Sequence, residues 1–128
     1  MARREEHRQQ VRLMARLFVD RPEIHELVFA VPNGGLRDPR VATQMSAEGL
    51  KPGVPDLMLP AAREGHHGLF VELKTDTGSL SPEQRQWHAR LRSQGFRVMV
   101  CRSAAEAFAV IESYFDAKDE NTISNTGQ

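Results

Sequence analysis

Two acidic residues and a lysine in this chain have the types and spacing of a hydrolytic metal site. The segment Leu69–Lys74 alternates like a β-strand, so Glu72 and Lys74 lie on one face. Asp56 opens the preceding strand-like segment, directly after Pro55. If the two segments pair, Asp56 approaches Glu72, and two carboxylates held that close need a proton or a cation between them.

A hard divalent ion such as Mg²⁺ or Mn²⁺ suits a few carboxylate oxygens, a backbone carbonyl and waters. Lys74 would lie beside a metal-bound water, where it can orient that water and offset charge on a phosphate in the transition state. The pattern predicts hydrolysis of a phosphodiester. The alternative, for this strand alone, is an edge strand whose Glu72 and Lys74 form an ion pair in water.

An amphipathic helix is predicted over residues 3–19. Its apolar stripe consists of Val11, Met14 and Phe18, with Leu13 and Leu17 beside it. An advance of about 100° per residue puts Glu6 on the side of Leu13 and Leu17, and Glu5 on the solvated face. Glu6 is therefore a candidate metal ligand. The alternative is an acid at the rim of the stripe, near a helix N-terminus where the helix dipole favours it.

The remaining patterns predict an α/β fold with the order α-β-α-β-β-α-β-α. Strands are expected at 26–31, 56–59, 69–74 and 96–101, and helices follow at 39–49, 82–94 and 104–115. The second and third strands should pair antiparallel. The last strand-helix-strand segment predicts a parallel crossover, and hence a mixed sheet with helices on both faces. We expect one domain over residues 1–116 and a polar, disordered tail over 117–128.

Composition adds weaker constraints. The net charge is zero, but the acidic excess lies in residues 103–128, which leaves residues 1–102 net basic. Cys101 is the single cysteine, so no internal disulfide forms. No apolar run approaches the roughly 20 residues of a membrane span, and the charged N-terminus resembles no secretory signal. We expect a cytoplasmic protein of a bacterial or phage-infected cell, without a membrane partner.

Short motifs along the chain resemble the VRR-NUC family of the PD-(D/E)xK nuclease superfamily. In chain order they are PNGG at 32–35, GVPDL at 53–57, GLFVELK at 68–74, GSLSPEQ at 78–84, and Trp87. The likeness covers residues 5–115 and is similar to the small stand-alone phage and bacterial members. It implies a restriction-endonuclease-like core and a Mg²⁺- or Mn²⁺-dependent nuclease.

The resemblance also implies roles for individual residues. The metal ligands would be Glu6, Asp56, Glu72 and the backbone carbonyl of Leu73. The catalytic residues would be Asp56, Glu72, Lys74 and Gln84, with Lys74 as the catalytic lysine and Gln84 as a polar residue lining the site. Where the family has its name-giving Val-Arg-Arg, this chain has Leu50-Lys51-Pro52, so only Lys51 keeps a positive charge.

Candidate DNA contacts lie between the first and the second predicted strand. They are Asn33, Gly34, Gly35, Arg37, Arg40 and Lys51. The glycine-containing segment 33–35 would let the backbone approach DNA, and a simple turn is the alternative. Arg85, Arg90, Arg92 and Arg97 fit a DNA contact or a solvated helix surface equally well. We expect Trp87 in the core.

These features predict a structure-specific DNA endonuclease. The resemblance adds a preference for branched DNA such as four-way (Holliday) junctions. Two opposed cuts need two active sites, and each chain supplies one, so a C2 homodimer is the simplest arrangement. The alternatives are a monomeric flap nuclease, a sequence-specific restriction-type nuclease and a catalytically silent DNA-binding module of the same fold.

Overall fold

The computed structural model describes residues 2–32 and 39–118. Its elements in chain order are α1 (Ala2–Asp20), α2 (Pro22–His25), β1 (Phe29–Ala30), α3 (Pro39–Ala47), β2 (Leu57–Leu59), β3 (Leu69–Leu73), α4 (Pro82–Ser93), β4 (Arg97–Cys101) and α5 (Ala104–Asp116). Within these residues, no helix combines the length and the apolar character that crossing a membrane requires.

The four strands form one mixed sheet in the order β1-β2-β3-β4. β2 pairs antiparallel with both β1 and β3, whereas β3 and β4 run parallel and are joined through α4. The predicted antiparallel pair, parallel crossover and α/β class are therefore confirmed. β3 lies inside the sheet between two partners, so the interpretation of its Glu72 and Lys74 as a solvated edge pair is wrong.

Helices cover both faces of the sheet. On one face Leu69, Val71 and Leu73 join a buried cluster with Leu13 of α1 and Ile111 of α5. The opposite face of β3 carries Phe70 and Glu72, and α4 packs there through side-chain contacts to Glu72. The apolar face of the sheet thus provides the core, and the other face places a carboxylate under α4.

The segment after α1 differs from the prediction of a strand over residues 26–31. Pro22 begins the short helix α2 instead, and the Val28 amide still donates to the Ile24 carbonyl. Proline at a first helical position costs no hydrogen bond, which is why a turn forms here. Only Phe29 and Ala30 are left to pair with β2.

The buried face of α1 also differs from the predicted stripe. Leu13 and Leu17 are fully buried, whereas Val11 and Phe18 are 54% and 65% exposed. The helix is apolar over a wide arc, and packing against the sheet and α5 selects the Leu13–Leu17 side of it. The predicted tail lies, from residue 119 onward, outside the described residues. Before it, the Lys118 carbonyl accepts a hydrogen bond from the Glu64 amide.

Candidate active site

The strand register brings Asp56 opposite Glu72. Leu57 pairs with Val71, so the residues that precede and follow them in the antiparallel pair face each other. Hydrogen bonds to its backbone and to its side chain hold Asp56. Its backbone carbonyl accepts from the Val31 amide at 2.8 Å, and its carboxylate Oδ2 accepts from the Leu73 amide at 2.7 Å. The carboxyl group is therefore held at the end of β3.

Glu72 is buried, with 1% of its surface exposed. Its Oε2 accepts from Gln84 Nε2 at 3.2 Å, and its Oε1 lies 3.3 Å from His88 Nε2. Burial raises the pKa of Glu72 to about 7, because the charged form loses its hydration. A hydrogen bond with Asp56 and the charge of Lys74 lower that pKa, and the charge of Glu6 raises it.

Gln84 has two functions in this arrangement. Its Oε1 accepts from the Ser81 amide at 2.9 Å, while the Ser81 hydroxyl accepts from the Gln84 amide at 3.1 Å. This is the capping box of α4, with Pro82 at the first helical position. Because Oε1 is used by the cap, Nε2 is the atom turned toward Glu72. The amide orientation at the site is thus fixed by the start of the helix.

Gln84→Glu is expected to preserve the cap and impair the site. A glutamate completes the capping box as well as glutamine does. Its second oxygen, however, replaces a donor to Glu72 with a like charge. We expect an activity about 10- to 100-fold lower, the usual range for a residue that orients a metal ligand, with a melting temperature close to wild type. Gln84→Ala, which loses both functions, is the control. A fully active glutamate variant would contradict this function of the amide.

His88 is a site residue that the sequence did not single out. It is 2% exposed and contacts Glu72 from one turn beyond Gln84 on α4. Burial, helped by the charge of Arg92, lowers the pKa of His88, so it favours the neutral ring. The spacing of four from Gln84 to His88 puts both on one helix face. That spacing was the available signal.

Lys74 and Glu6 come together beside the carboxyl pair. Both line an open cavity of about 410 Å³ between the N-terminus of α1 and the residues that follow β3. Glu5, expected on the solvated face, lines the same cavity and is half-buried. Its carboxylate is engaged, since it accepts from Gln9 Nε2 at 2.8 Å and lies 3.8 Å from Arg8.

The Asp56–Glu72 pair fits a divalent cation. The strand register brings the two carboxyl groups together, and burial raises the pKa of Glu72 to about 7, so a cation between the carboxyl groups would favour the ionised form of Glu72. Over residues 2–32 and 39–118, no group of three or more histidine, cysteine, aspartate or glutamate side chains is close enough to hold an ion. The site therefore offers a pair of carboxylates, which is typical of Mg²⁺ sites completed by water.

The predicted DNA contacts are only partly described. Arg40 is exposed on α3, and Lys51 is exposed in the loop before β2. Asn33, Gly34, Gly35 and Arg37 lie outside the described residues. Trp87, expected in the core, is only partly buried on α4.

A family model described as the VRR-NUC domain matches residues 4–105. The chain belongs to the VRR-NUC family. A solved structure titled "VRR_NUC domain protein" superposes with a TM-score of 0.76 at 24% sequence identity, and the match covers 89% of this chain and 90% of that one. Among curated proteins, no relative matches significantly.

Membership supports the fold class in full and a nuclease in general. The matched range contains Glu6, Asp56, Glu72, Lys74 and Gln84, so every acid, lysine and amide of the site lies inside the VRR-NUC domain. At this identity the solved structure bears on the fold alone. The substrate and the metal of this VRR-NUC protein depend on its own residues.

Proposed function

We propose that this VRR-NUC protein is a Mg²⁺- or Mn²⁺-dependent endonuclease that hydrolyses phosphodiester bonds in branched DNA. The observation that carries the proposal is the contact between the buried carboxyl group of Glu72 and that of Asp56, beside Lys74. A buried carboxyl group in contact with a second one destabilises the metal-free fold, and a bound cation offsets that cost.

Each residue has a defined part in the proposed reaction. Asp56, Glu72 and the Leu73 carbonyl would hold the ion, which when bound would lower the pKa of a water and neutralise charge on the phosphate. Gln84 and His88 keep the Glu72 carboxylate oriented. Lys74 directs its ammonium group at the attacking water and the phosphate.

Glu6 approaches the carboxyl pair from α1. Burial is the main cause of the raised Glu72 pKa, and the charge of Glu6 raises it further. We propose that Glu6 would hold a water of the bound ion, or a second ion, since Mg²⁺ keeps several waters and is bound through only one or two carboxylates. Outside the pair, Arg40, Lys51 and the segment 33–37 would contact DNA phosphates.

Glu6→Gln is expected to reduce cleavage at limiting Mn²⁺ by about 10-fold or more, whereas Glu5→Gln should stay within about twofold. The reason is that Glu6 acts electrostatically on Glu72, while Glu5 is occupied by Gln9 and Arg8. The measurement is the initial cleavage rate as a function of Mn²⁺ concentration. Equal cleavage rates for the two variants would show that Glu6 is not part of the active site.

A homodimer is part of the proposal, because junction resolution needs two active sites related by a two-fold axis. Large apolar side chains support it, since they remain 40–75% exposed on α1 and around β1. They are Val11, Phe18, Val19, Leu27 and Phe29. Exposed apolar side chains that adjoin one another are typical of association surfaces.

The test is a cleavage panel with linear duplex, flap, splayed-arm and four-way junction DNA, each with Mg²⁺ and with Mn²⁺. Sedimentation equilibrium at micromolar concentration runs beside it. We expect a dimer that makes paired, opposed incisions in junctions. A monomer that cuts flaps and ignores junctions would replace the junction proposal with a flap nuclease. A protein that cuts none of the four with either metal would overturn the endonuclease itself.

A further inference from the structure

A second groove lies on α4, next to the face that contacts Glu72. Its volume is about 450 Å³, and it is lined by Lys51, Pro52, Glu83, Gln86, Trp87 and Arg90. Gln84 and His88 belong to the neighbouring face of the same helix and contact Glu72. The groove and the carboxyl pair therefore share α4 as a common wall.

The two walls of the groove are packed firmly together at Gly53. This glycine has a φ of +92°, and a Cβ placed on it would lie 2.6 Å from the backbone carbon of Glu83. The loop that carries Lys51 and Pro52 thus approaches the first turn of α4 as closely as a chain can. This close packing of Gly53 against Glu83 fixes the loop beside the start of the helix that carries Trp87.

The lining groups have the chemistry that binds an unpaired nucleotide. Trp87 is partly exposed, and the guanidinium carbon of Arg90 lies 5.3 Å from its ring centroid. Lys51 and Arg90 are cationic, and Glu83 carries the one acidic side chain of the lining. An aromatic ring beside cationic groups provides base stacking and phosphate contacts together. A duplex keeps its base faces inside its own stack, so an aromatic ring needs an unpaired base.

We propose that this groove binds an unpaired nucleotide of the DNA substrate, with its base stacked on Trp87 and its phosphates contacting Lys51 and Arg90. The inference rests on the proposed nuclease function and adds to it a physical basis for choosing branched over plain duplex DNA. Only DNA with an unpaired or openable nucleotide next to the scissile bond fills the groove and the active site at once.

Trp87 is the single tryptophan of the chain, so its fluorescence reports on the groove directly. In the experiment, the Asp56→Asn variant, which should not cleave DNA, is titrated separately with a single-stranded oligo-dT and with a blunt duplex of equal length. We expect strong quenching by the single strand and little by the duplex. Equal quenching by the two DNAs, or no quenching by either, would overturn the proposed binding groove. If the wild-type protein cuts DNA while the fluorescence of Trp87 stays unquenched, only the groove proposal is overturned. If Trp87 is quenched but no DNA is cut, only the nuclease proposal is overturned.

Substitutions separate stacking from charge. Trp87→Leu should weaken single-strand binding by about 5- to 150-fold, measured by anisotropy of a labelled oligonucleotide, while Trp87→Phe keeps a ring and most of the affinity. Arg90→Gln should reduce the salt dependence of binding by about one unit of slope. Arg97→Gln is the charge-matched control, because Arg97 pairs with Leu69 at the end of the sheet away from Glu72. If Arg97→Gln reduced the salt dependence of binding as much as Arg90→Gln does, the proposed site would be contradicted.

Discussion

Lys74→Ala is expected to reduce metal-dependent DNA cleavage by about 10²- to 10³-fold, the usual effect of removing one charged donor from a transition state. Lys74 lies on the same side of the strand as Glu72, close enough for its charge to lower the Glu72 pKa. It also lines the open cavity through which a phosphate would approach. The measurement is a single-turnover cleavage rate at saturating Mg²⁺.

DNA binding should survive this change, because one ammonium group contributes little to the total phosphate contact. Asp56→Asn and Glu72→Gln should behave similarly, with cleavage lost and the dissociation constant within about threefold of wild type. Lys118→Ala is the matched control, since Lys118 contacts the rest of the fold through its backbone carbonyl. Wild-type cleavage by Lys74→Ala would mean that the active site has been assigned to the wrong residues.

Glu72→Gln is expected to stabilise the metal-free protein while it abolishes cleavage. Burial raises the pKa of Glu72 from 4.5 to about 7, so the folded protein holds a proton that the unfolded chain releases. The stabilisation of the folded protein by this proton is fully present below pH 4.5 and is lost as the pH rises toward 7. Above pH 7 the lost stability reaches about 3 kcal/mol, which glutamine avoids because it carries no charge.

The check is urea unfolding in EDTA between pH 5 and pH 8.5. The free energy of unfolding of the wild type should fall across this range more steeply than that of Glu72→Gln, and the two should converge near pH 5. Added Mg²⁺ should restore the free energy of unfolding of the wild type at pH 8 and leave that of Glu72→Gln unchanged, because the ion binds the ionised pair. The exposed Glu48 provides the control substitution, Glu48→Gln. Parallel profiles for wild type and Glu72→Gln would show that Glu72 is not the buried acid.

The carboxyl pair could be predicted from sequence because it depends on local rules. Strand alternation puts Glu72 and Lys74 on one face, and an antiparallel partner brings Asp56 opposite Glu72. The capping box at Ser81–Gln84 likewise marks the start of α4 without knowledge of its neighbours. These features involve short spans or a single strand pairing, so tertiary packing does not alter them.

The features that were missed depend on which surfaces meet. The apolar arc of α1 is wide enough to bury either Leu13 or Val11, and only the approach of the sheet and α5 decides between them. His88 is an ordinary helical residue until β3 places Glu72 under it. Residues 26–28 were predicted to begin a strand, yet they continue the turn that starts at Pro22. In the first two cases a distant partner determines the outcome, and in the third a neighbouring turn does.

The double use of the Gln84 amide limits how this position can diverge between related proteins. Selection for a stable start of α4 accepts glutamine or glutamate, since both complete the capping box. Selection for an oriented Glu72 accepts a side chain that donates, which glutamate in its charged form cannot do. Among relatives that keep Ser81 and Glu72, glutamine should therefore persist in active enzymes. A glutamate at this position would identify lineages that have kept the fold and given up cleavage.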